Sequence, residues 1–436
     1  MSIITQVAGA VQRVLTEEAD ELARQTQFIK RERKLTGSTF AQALVFGWLA
    51  DPQATVVGLS QAAATVAVEI SPQGMDQRFT PEAAEFMQQV LEAGVREAIR
   101  AEPVPLPILQ RFNGVYVQDS TVIPLPEALA GVWEGCTGAA LKIQVRWDLR
   151  DGALTHLALR PGKEADRQAP VQTEAIPAGG LRLADLGYFS LDVLQTLAEQ
   201  EAYFLTRGHI QCHVQEPSGR SWDVWTFLGQ QQADQVDVPM ALGAAHQLPG
   251  RVLAVRVPAE VAAERRRKIR AEAKRRGLTP SQRQLEMADW TLFFTNVPPE
   301  KLSLKEALVV ARVRWQVEVL FKLWKSHGRL DEWRTANPWR ILCELYAKLM
   351  GLLIFHWVLV AGAWGYPNRS LFQAAQTVRA HAMALAGALA SGCQSHLLRA
   401  LRTLQRCLSW GCRINTRRTK PNTYQLLLAL TEEGLN

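Results

Sequence analysis

The sequence has few cysteines, and none of them stands in a pair typical of a metal site. Its six cysteines are spread over 436 residues, and no two have CxxC spacing. So few cysteines in so long a chain exclude a small scaffold held together by disulfides. Residues 1–25 become acidic and amphipathic along their length and have no signal-peptide pattern. These absences predict a reducing, cytoplasmic setting.

Several catalytic and binding motifs are also missing. No GxxxxGK[ST] loop occurs, so the sequence does not support nucleotide hydrolysis. No local motif marks a serine or cysteine nucleophile. His209, Cys212 and His213 could begin a zinc site, but no second ligand pair follows at a suitable spacing. Zinc, nucleotide and acyl-enzyme chemistry are therefore disfavoured.

One long apolar run argues against a purely cytoplasmic protein. Residues 349–366, LMGLLIFHWVLVAGAWGY, contain one polar side chain, His356, in 18 residues. That length is near the lower limit for a membrane span. The alternative is a helix buried inside a large domain, because charged residues flank the run and two glycines interrupt it.

Length and charge narrow the class of protein. A chain of 436 residues predicts two or three domains, and a composition of 47% apolar and 21% charged residues is globular. The net charge of +7 and the pI near 9.2 favour a polyanionic partner, most often nucleic acid. A basic cytosolic enzyme would fit the same composition.

The first part of the chain, residues 1–108, predicts a helical N-terminal DNA-binding region. Its first helix is expected to end near Gly37, acting as a C-cap. Residues 56–80 predict two short helices joined at Ser71 and Pro72. This pair resembles a helix-turn-helix, whose second helix would enter a major groove. Any small helical pair is the alternative.

The next part changes from helical to alternating patterns. GVYVQDSTVI, KIQVRWDL and ALTHLALR predict a meander of three strands. LRLADLGYF predicts a strand leading into a helix capped by Ser190, and AYFLTR predicts a further strand. Three antiparallel strands followed by strands joined by helices is the order of a ribonuclease H-like sheet.

The predicted fold class is therefore α/β, with a ribonuclease H-like catalytic core made of a mixed sheet and flanking helices. This core covers residues 109–207 and 290–345. A β-rich and basic insertion, 208–289, interrupts it; we expect strands in SWDVWTFLG and RVLAVRV, followed by the basic stretch ERRRKIRAEAKRRG. Residues 346–436 predict a helical C-terminal region.

Three acids stand where a polar site would form. Asp119 lies in the middle of a strand, where aspartate is uncommon and costly to bury. Asp185 ends a strand, and sites form at such ends in open sheets. Glu318 lies on a helix. Each acid alone has a structural alternative: a strand bend, the start of a turn, or a salt bridge with Arg314 or Lys322. Converging, the three could hold hard divalent cations.

The helix that carries Glu318 has two stripes. Its apolar stripe consists of Val313, Val317, Leu320 and Trp324. Beside it, Glu318 stands in a row of cations made of Arg314, Lys322 and Lys325. At this point the sequence resembles DDE transposases of the insertion sequence 4 family, over roughly residues 70–360.

The family signature is tyrosine, two residues, arginine, three residues, glutamate, six residues and lysine. Arg314, Glu318 and Lys325 match this spacing, while Ala311 occupies the tyrosine position. The first and second acids of the family resemble those in QDSTVI and ADLGYF, Asp119 and Asp185.

The resemblance implies a DNA transposase that cleaves transposon ends and joins the 3′ ends to target DNA. Asp119, Asp185 and Glu318 would be catalytic and would bind Mg²⁺, as two ions for which Mn²⁺ can substitute. DNA contacts are expected from the helix, the strand start and the basic stretch, through Arg314, Lys322, Lys325, Trp290, Arg266, Arg267, Lys268 and Arg270. For Trp290 the alternative is a core tryptophan, and for the basic stretch it is a solvated helix face.

The implied partners are transposon terminal inverted repeats and target DNA, both double-stranded, with a homodimer in the DNA complex. The expected location is the prokaryotic cytoplasm, associated with the nucleoid and not with a membrane. In the family, a core helix follows the glutamate, which favours the buried alternative for residues 349–366. Two other functions stay open: a DNA-binding relative without catalysis, and an unrelated carboxylate-dependent hydrolase such as a glycosidase.

Overall fold

The structure, a computed structural model, describes residues 2–31 and 34–433. The chain divides into two compact units. Unit 1 comprises Met1–Leu106, Ser120–Glu164 and Trp315–Gln425, and unit 2 comprises Pro107–Asp119, Ala165–Arg314 and Leu426–Asn436. Because the division falls within one strand and between two consecutive helices, each unit is built from several separate stretches of sequence. The predicted domain boundaries stay a prediction.

Unit 1 is mostly helical. Before its strands it contains α1 (Ile3–Arg13), α2 (Ala19–Gln25), α3 (Gly37–Ala50), α4 (Val56–Thr65), α5 (Pro72–Asp76) and α6 (Pro81–Val95). After them it contains α13 (Trp315–Ser326), α14 (Pro338–Ala363), α15 (Leu371–Ala380), α16 (Ala382–Ala390) and α17 (Gln394–Gly411). Hydroxyl side chains cap several of these helices, as Ser71 does for α5.

The start of unit 1 corrects one expectation. A π-helical turn, Val14–Glu18, joins α1 to α2, and α2 ends at Gln25. Gly37 is the first residue of α3, so its prediction as a C-cap is wrong. A Cβ at Gly37 would lie 2.4 Å from the Cβ of Ala23, so the glycine allows α2 and α3 to approach closely.

The short helices α4 and α5 confirm the predicted helical pair. α5 has only five residues, and its Met75 is buried. The role of the pair in a DNA groove stays a prediction.

Helix α14 contains the long apolar run. It has 26 residues, and its most apolar window is entirely buried within unit 1. It packs against α1, α3, α6, α15 and α17. His356 donates a hydrogen bond from Nε2 to the carbonyl of Gly152 (2.7 Å), and burial lowers its pKa to about 4. These features are typical of a core helix, and one such helix is weak support for a membrane span.

A buried ion pair also belongs to α14. The ammonium of Lys348 lies 2.7 Å from the carboxylate of Glu344, and both side chains are at most 5% exposed. Lys348 Nζ also donates to the carbonyl of Arg329 at 2.8 Å. Burial raises the pKa of Glu344 and lowers that of Lys348. The charges that flank the apolar run therefore satisfy each other inside the unit.

Strand β1 (Val115–Leu125) is shared by the two units, which divide it between Asp119 and Ser120. In unit 1 it is followed by β2 (Ala139–Asp148) and β3 (Leu154–Pro161), in the order β3-β2-β1. β2 and β3 are antiparallel. The predicted three-strand meander is confirmed.

Unit 2 is built on a mixed sheet. Its further strands are β4 (Leu181–Ala184), β5 (Tyr203–Arg207), β6 (His213–Gln215), β7 (Ser221–Asp223), β8 (Gln235–Leu242), β9 (Leu248–Arg256) and β10 (Trp290–Thr295). Their order is β1-β4-β5-β10-β9-β8-β6-β7. β4 is parallel to β1 and β5, whereas the pairs from β5–β10 onwards are antiparallel. The α/β fold class, with a mixed sheet and flanking helices, is confirmed.

The helices of unit 2 connect these strands. They are α7 (Pro107–Gln110), α8 (Leu191–Glu199), α9 (Val224–Gly229), α10 (Ala259–Arg275), α11 (Gln282–Glu286) and α12 (Leu304–Val313), while α18 (Thr423–Glu433) is divided between the units. As predicted, Ser190 caps α8. Aromatic and aliphatic residues of β5, β8, β9 and β10 form the core of this unit with α8 and α9.

The 208–289 stretch is only partly β-rich. Its strands β6 to β9 extend the sheet of unit 2 beyond β10. SWDVWTFLG, expected to be a strand, is β7 followed by α9. Asp223 accepts a hydrogen bond from the backbone N–H of Thr226 at 2.9 Å, and this N-cap starts the helix.

Candidate active site

Two of the three predicted acids lie at equivalent positions on neighbouring parallel strands of unit 2. The β1–β4 register pairs Val115 with Leu181 and ends with Gln118 opposite Ala184. Asp119 and Asp185 are the next residues on the two strands. This register brings Asp119, in the middle of β1, level with Asp185, the residue that follows the end of β4.

A single guanidinium reaches both carboxylates. Arg314 Nη1 donates to Asp119 Oδ2 at 3.2 Å, and its Nη2 lies 3.9 Å from Asp185 Oδ1. Arg314 is 12% exposed, so the Asp119 contact is largely removed from water. Arg314 is the one residue between α12 and α13, and its backbone keeps right-handed helical angles.

Asp185 has an oxygen whose hydrogen-bonding capacity is unused. Its Oδ1 is buried and receives no hydrogen bond from the described residues. A buried carboxylate oxygen without a donor is costly. Its 3.9 Å separation from Arg314 is a charge contact without a hydrogen bond. This oxygen is therefore suited to accept a further cation.

A buried polar group lies in the same two strands and was not predicted. Arg182 of β4 is 2% exposed and donates to Gln118 Oε1 at 3.3 Å. It also donates to Gln172. Gln118 and Arg182 precede the two acids by one and three residues, so these hydrogen bonds restrain the backbone next to Asp119 and Asp185. A charged residue inside the short strand LRLA was the available signal.

The predicted third acid lies in unit 1. Glu318 is half-buried in the first turn of α13, four residues after Arg314. The apolar stripe is confirmed, since Val313, Val317, Leu320 and Trp324 are all buried. Lys325 Nζ donates to the carbonyl of Val122 at 3.0 Å, and Lys322 is exposed.

Two tryptophans, Trp290 of unit 2 and Trp315 of unit 1, differ in exposure. Trp315 is the first residue of α13 and is 60% exposed, although sequence reasoning did not select it. Trp315 lies off the apolar stripe of α13, and this position in the sequence could have indicated that it is exposed. Trp290 is only 8% exposed, belongs to the core of unit 2, and has the guanidinium of Arg256 4.4 Å from its ring centroid. This environment suits the core alternative, and a DNA contact by Trp290 stays a prediction.

The basic stretch forms α10, and many of its cations are already paired. Arg266 contacts Asp289 and donates to the carbonyl of Leu285 at 3.0 Å. Lys268 pairs with Glu264 at 2.8 Å. Arg267 and Arg270 are exposed and make no ion pair with the described residues.

No preassembled metal cluster is found. Within residues 2–31 and 34–433, no three His, Cys, Asp or Glu side chains form a group that could hold an ion. The weak zinc candidate, His209, Cys212 and His213, is among the residues that form no such group. Cys212 is buried, and this burial raises its pKa to about 11.

Residues 110–354 match the profile of the transposase DDE domain family, which covers more than half of the chain. The chain belongs to this family. Curated relatives include the transposase for insertion sequence element IS231F of Bacillus thuringiensis subsp. israelensis, 28% identical over 79% of this chain and 78% of the relative. Another is the transposase for IS1151 of Clostridium perfringens, 24% identical over 77% and 76%. The predicted resemblance to DDE transposases of the insertion sequence 4 family is confirmed.

Proposed function

We propose that the protein is a DNA transposase that cleaves the ends of its element and joins the freed 3′ ends to target DNA. The observation that supports this proposal is that Asp119 and Asp185 lie level with each other, directly after the paired residues of β1 and β4, and that Arg314 reaches both carboxylates. The names of the curated relatives support the same function. Cleavage and joining at both ends are proposed as a cut-and-paste reaction.

Asp119, Asp185 and Glu318 are proposed as the ligands of two Mg²⁺ ions, with Mn²⁺ as a substitute. Carboxylate oxygens are the ligands that these hard cations prefer, and the donor-free oxygen of Asp185 supports the assignment. When bound, the cations would activate a water or 3′-hydroxyl and stabilise the leaving oxygen of a phosphodiester.

The cations around the acids are proposed to hold the cleaved strand. Arg314 has a planar guanidinium that can donate to two phosphate oxygens at once, and it already donates to one carboxylate, that of Asp119. Lys322 and Lys325 would contact further phosphates as point charges. Exposed Trp315 would offer a flat surface to a base near the cut.

On α10, the predicted DNA-contacting residues Arg267 and Arg270 are exposed and make no ion pair with the part of the chain that the structure describes. They are proposed as phosphate contacts, together with Arg266 and Lys268 if DNA displaces their present acidic partners. The partners proposed are the terminal inverted repeats and target DNA, bound by a homodimer in the cytoplasm, at the nucleoid.

The decisive experiment compares the unmodified protein with variants in which an acid is replaced by its amide, a side chain of nearly the same shape without the charge. Glu318→Gln and Asp185→Asn should lower Mg²⁺-dependent cleavage of supercoiled DNA carrying the element ends by at least 100-fold, since a hard cation loses a charged ligand. Binding of the end sequence in EDTA should stay within about threefold, because phosphate contacts dominate affinity.

Glu199→Gln is the matched control, because Glu199 is an exposed acid at the end of α8 in unit 2. It should cleave like the unmodified protein. If Glu318→Gln lost binding and cleavage together while its circular dichroism stayed native, Glu318 would be structural. Full cleavage by Asp185→Asn would rule out the carboxylate mechanism.

A further inference from the structure

The positive charge of this protein is concentrated in one part of the sequence. Residues 345–431 contain ten lysines and arginines and no aspartate or glutamate. The whole chain has 49 basic and 42 acidic residues, so the remainder has 39 basic and 42 acidic residues and a formal net charge of −3. The net charge of +7 therefore comes from a segment that lies almost wholly beyond residue 354, where the family match ends.

Helix α17 presents part of this charge on one side. Its buried side is made of Leu397, Leu401, Leu404 and Leu408. Its exposed side carries what we call the α17 face: Arg399, Arg402, Arg406 and Trp410. Steps of three, four and four residues place these side chains in one row along the helix. Trp410 is 87% exposed, the highest value among the exposed large hydrophobic residues of the described chain.

The arginines of the α17 face are not neutralised by the protein. Across residues 2–31 and 34–433, Arg399, Arg402 and Arg406 have no ion pair and no side-chain hydrogen bond. α17 itself contains no acid. Arginine side chains that are fixed on a packed helix, yet have no acidic partner, leave their full charge available to a polyanion.

A cleft lies next to Arg406. This cleft of about 700 Å³ in unit 1 is lined by Arg406, Arg100, Gln405, Ser409 and Tyr366, with Glu102 as its acidic residue. Tyr366 is 41% exposed, and the guanidinium of Arg413 lies 3.5 Å from its ring centroid. Arg100 is paired with Asp151 at 2.7 Å, so the cleft adds polar groups beside the α17 face, and Arg406 supplies its unpaired positive charge.

We infer that the α17 face is a docking surface for the phosphate backbone of double-stranded DNA of any sequence. The three arginines span about 10 Å along the helix axis, which corresponds to roughly three phosphate intervals of one strand. Guanidinium groups bind phosphate through paired hydrogen bonds, and phosphate contacts carry no sequence information. The surface would thus hold target or flanking DNA without reading it. The inference relies on the proposed function only for the identity of the polyanion.

The test measures binding by the full chain in EDTA, so that it needs no cleavage activity. The probe is a fluorescein-labelled duplex of scrambled sequence, titrated by anisotropy between 50 and 200 mM KCl. The variant replaces Arg399, Arg402 and Arg406 with Gln. Its slope of log affinity against log salt should be less steep by roughly 3, and affinity at 50 mM salt should fall by roughly tenfold or more.

The matched control removes three other positive charges from unit 1, by Arg160→Gln, Lys163→Gln and Arg329→Gln. Each of these side chains already pairs with a glutamate: Glu164, Glu134 and Glu332 respectively. The control should change the slope by less than about 1. Equal slope changes in the two variants would show a general charge effect and overturn the inference, as would an unchanged slope in the α17 variant.

Trp410→Ala distinguishes duplex from single-stranded DNA. A phosphate-backbone site predicts less than about a threefold loss for the duplex and a similar loss for a single strand, because Trp410 would not stack on paired bases. A selective loss of single-strand binding would overturn the duplex assignment.

Unchanged urea midpoints in all variants show that the fold is intact. If the acid variants of the proposed function keep full cleavage while the α17 variant loses binding, the cleavage proposal fails and this one stands.

Discussion

Helices α10 and α17 are both strongly basic, but only α10 contains acids. Glu264 and Glu272 of α10 pair with Lys268, Arg275 and Arg276, and Asp289 pairs with Arg266. α17 carries three arginines and no acid, and its arginines extend from unit 1 without a partner among the described residues. The number of basic residues in a segment therefore indicates DNA binding only when those that pair with acids of the same protein are left out.

Lys348 differs most from the arginines of α17, because its charge is both buried and paired. Its charge is buried against Glu344 on a core helix, so it contributes nothing to the surface field. The comparison thus has three levels: a buried pair in α14, surface pairs in α10 and unpaired cations in α17. Substitutions at each level should have effects that differ in size and in kind.

The largest effect is expected from the buried pair. Lys348→Met leaves the Glu344 carboxylate buried without its cation, which should lower the free energy of unfolding by about 3–5 kcal/mol. Urea unfolding followed by tryptophan fluorescence measures the loss. The double variant Lys348→Met/Glu344→Leu should recover most of this loss of stability. The part that is not recovered comes from the Arg329 carbonyl, which no longer receives the hydrogen bond from Lys348. A single variant as stable as the unmodified protein would contradict the pairing.

A smaller loss is expected at Arg265 of α10. Its guanidinium donates to the carbonyl of Trp290 and to the hydroxyl of Thr291, both at 2.9 Å, and so attaches α10 to the start of β10. Arg265→Ala should lower the free energy of unfolding by about 1.5–3 kcal/mol, since two hydrogen bonds to a charged group are lost. Arg267→Ala, on the same helix but exposed and unpaired, should change it by less than about 0.5 kcal/mol. Equal losses in the two variants would contradict this structural role.

Much of the site was predictable, because strand alternation and the positions of Asp119 and Asp185 are local features of the sequence. The parallel register that brings them level follows from the ribonuclease H-like order. The contact of Arg314 with both acids was not predictable, since it depends on a side-chain conformation and on a break between α12 and α13. The pairing within α10 is similar: the sequence shows Glu264 four residues before Lys268, but only coordinates show which cations are paired.

Two errors have local causes. SWDVWTFLG has an alternating pattern, yet Asp223 caps a helix in its middle, and one capping hydrogen bond outweighed the strand pattern. Gly37 stands between helices, where a C-cap is the usual role. Its actual role, the close approach of α3 to Ala23, comes from tertiary packing that no local pattern encodes.

An intermediate effect, on DNA binding and not on stability, is expected for the unpaired cations of α10. Arg267→Gln/Arg270→Gln should make the salt dependence of binding less steep by roughly 2, because two phosphate contacts are lost. Anisotropy with the element end as probe measures the slope. The stability of this variant should stay within about 0.5 kcal/mol of the unmodified protein. An unchanged slope would mean that α10 is a solvated helix face.

The smallest effect is expected for Lys268, whose ammonium lies 2.8 Å from Glu264. Both side chains are more than half exposed, so the pair contributes little to stability, and Lys268→Gln should change the free energy of unfolding by less than about 0.5 kcal/mol. It should also change the salt slope less than either Arg267 or Arg270 does alone, because binding a phosphate through Lys268 requires breaking its pair with Glu264. The double variant Lys268→Gln/Glu264→Gln sharpens the test: with the pair removed and no net change in charge, binding should match the unmodified protein. If Lys268→Gln alone lowered the slope by a full unit, DNA would be displacing Glu264. Paired cations would then count as phosphate contacts, and the contrast between α10 and α17 would be one of degree.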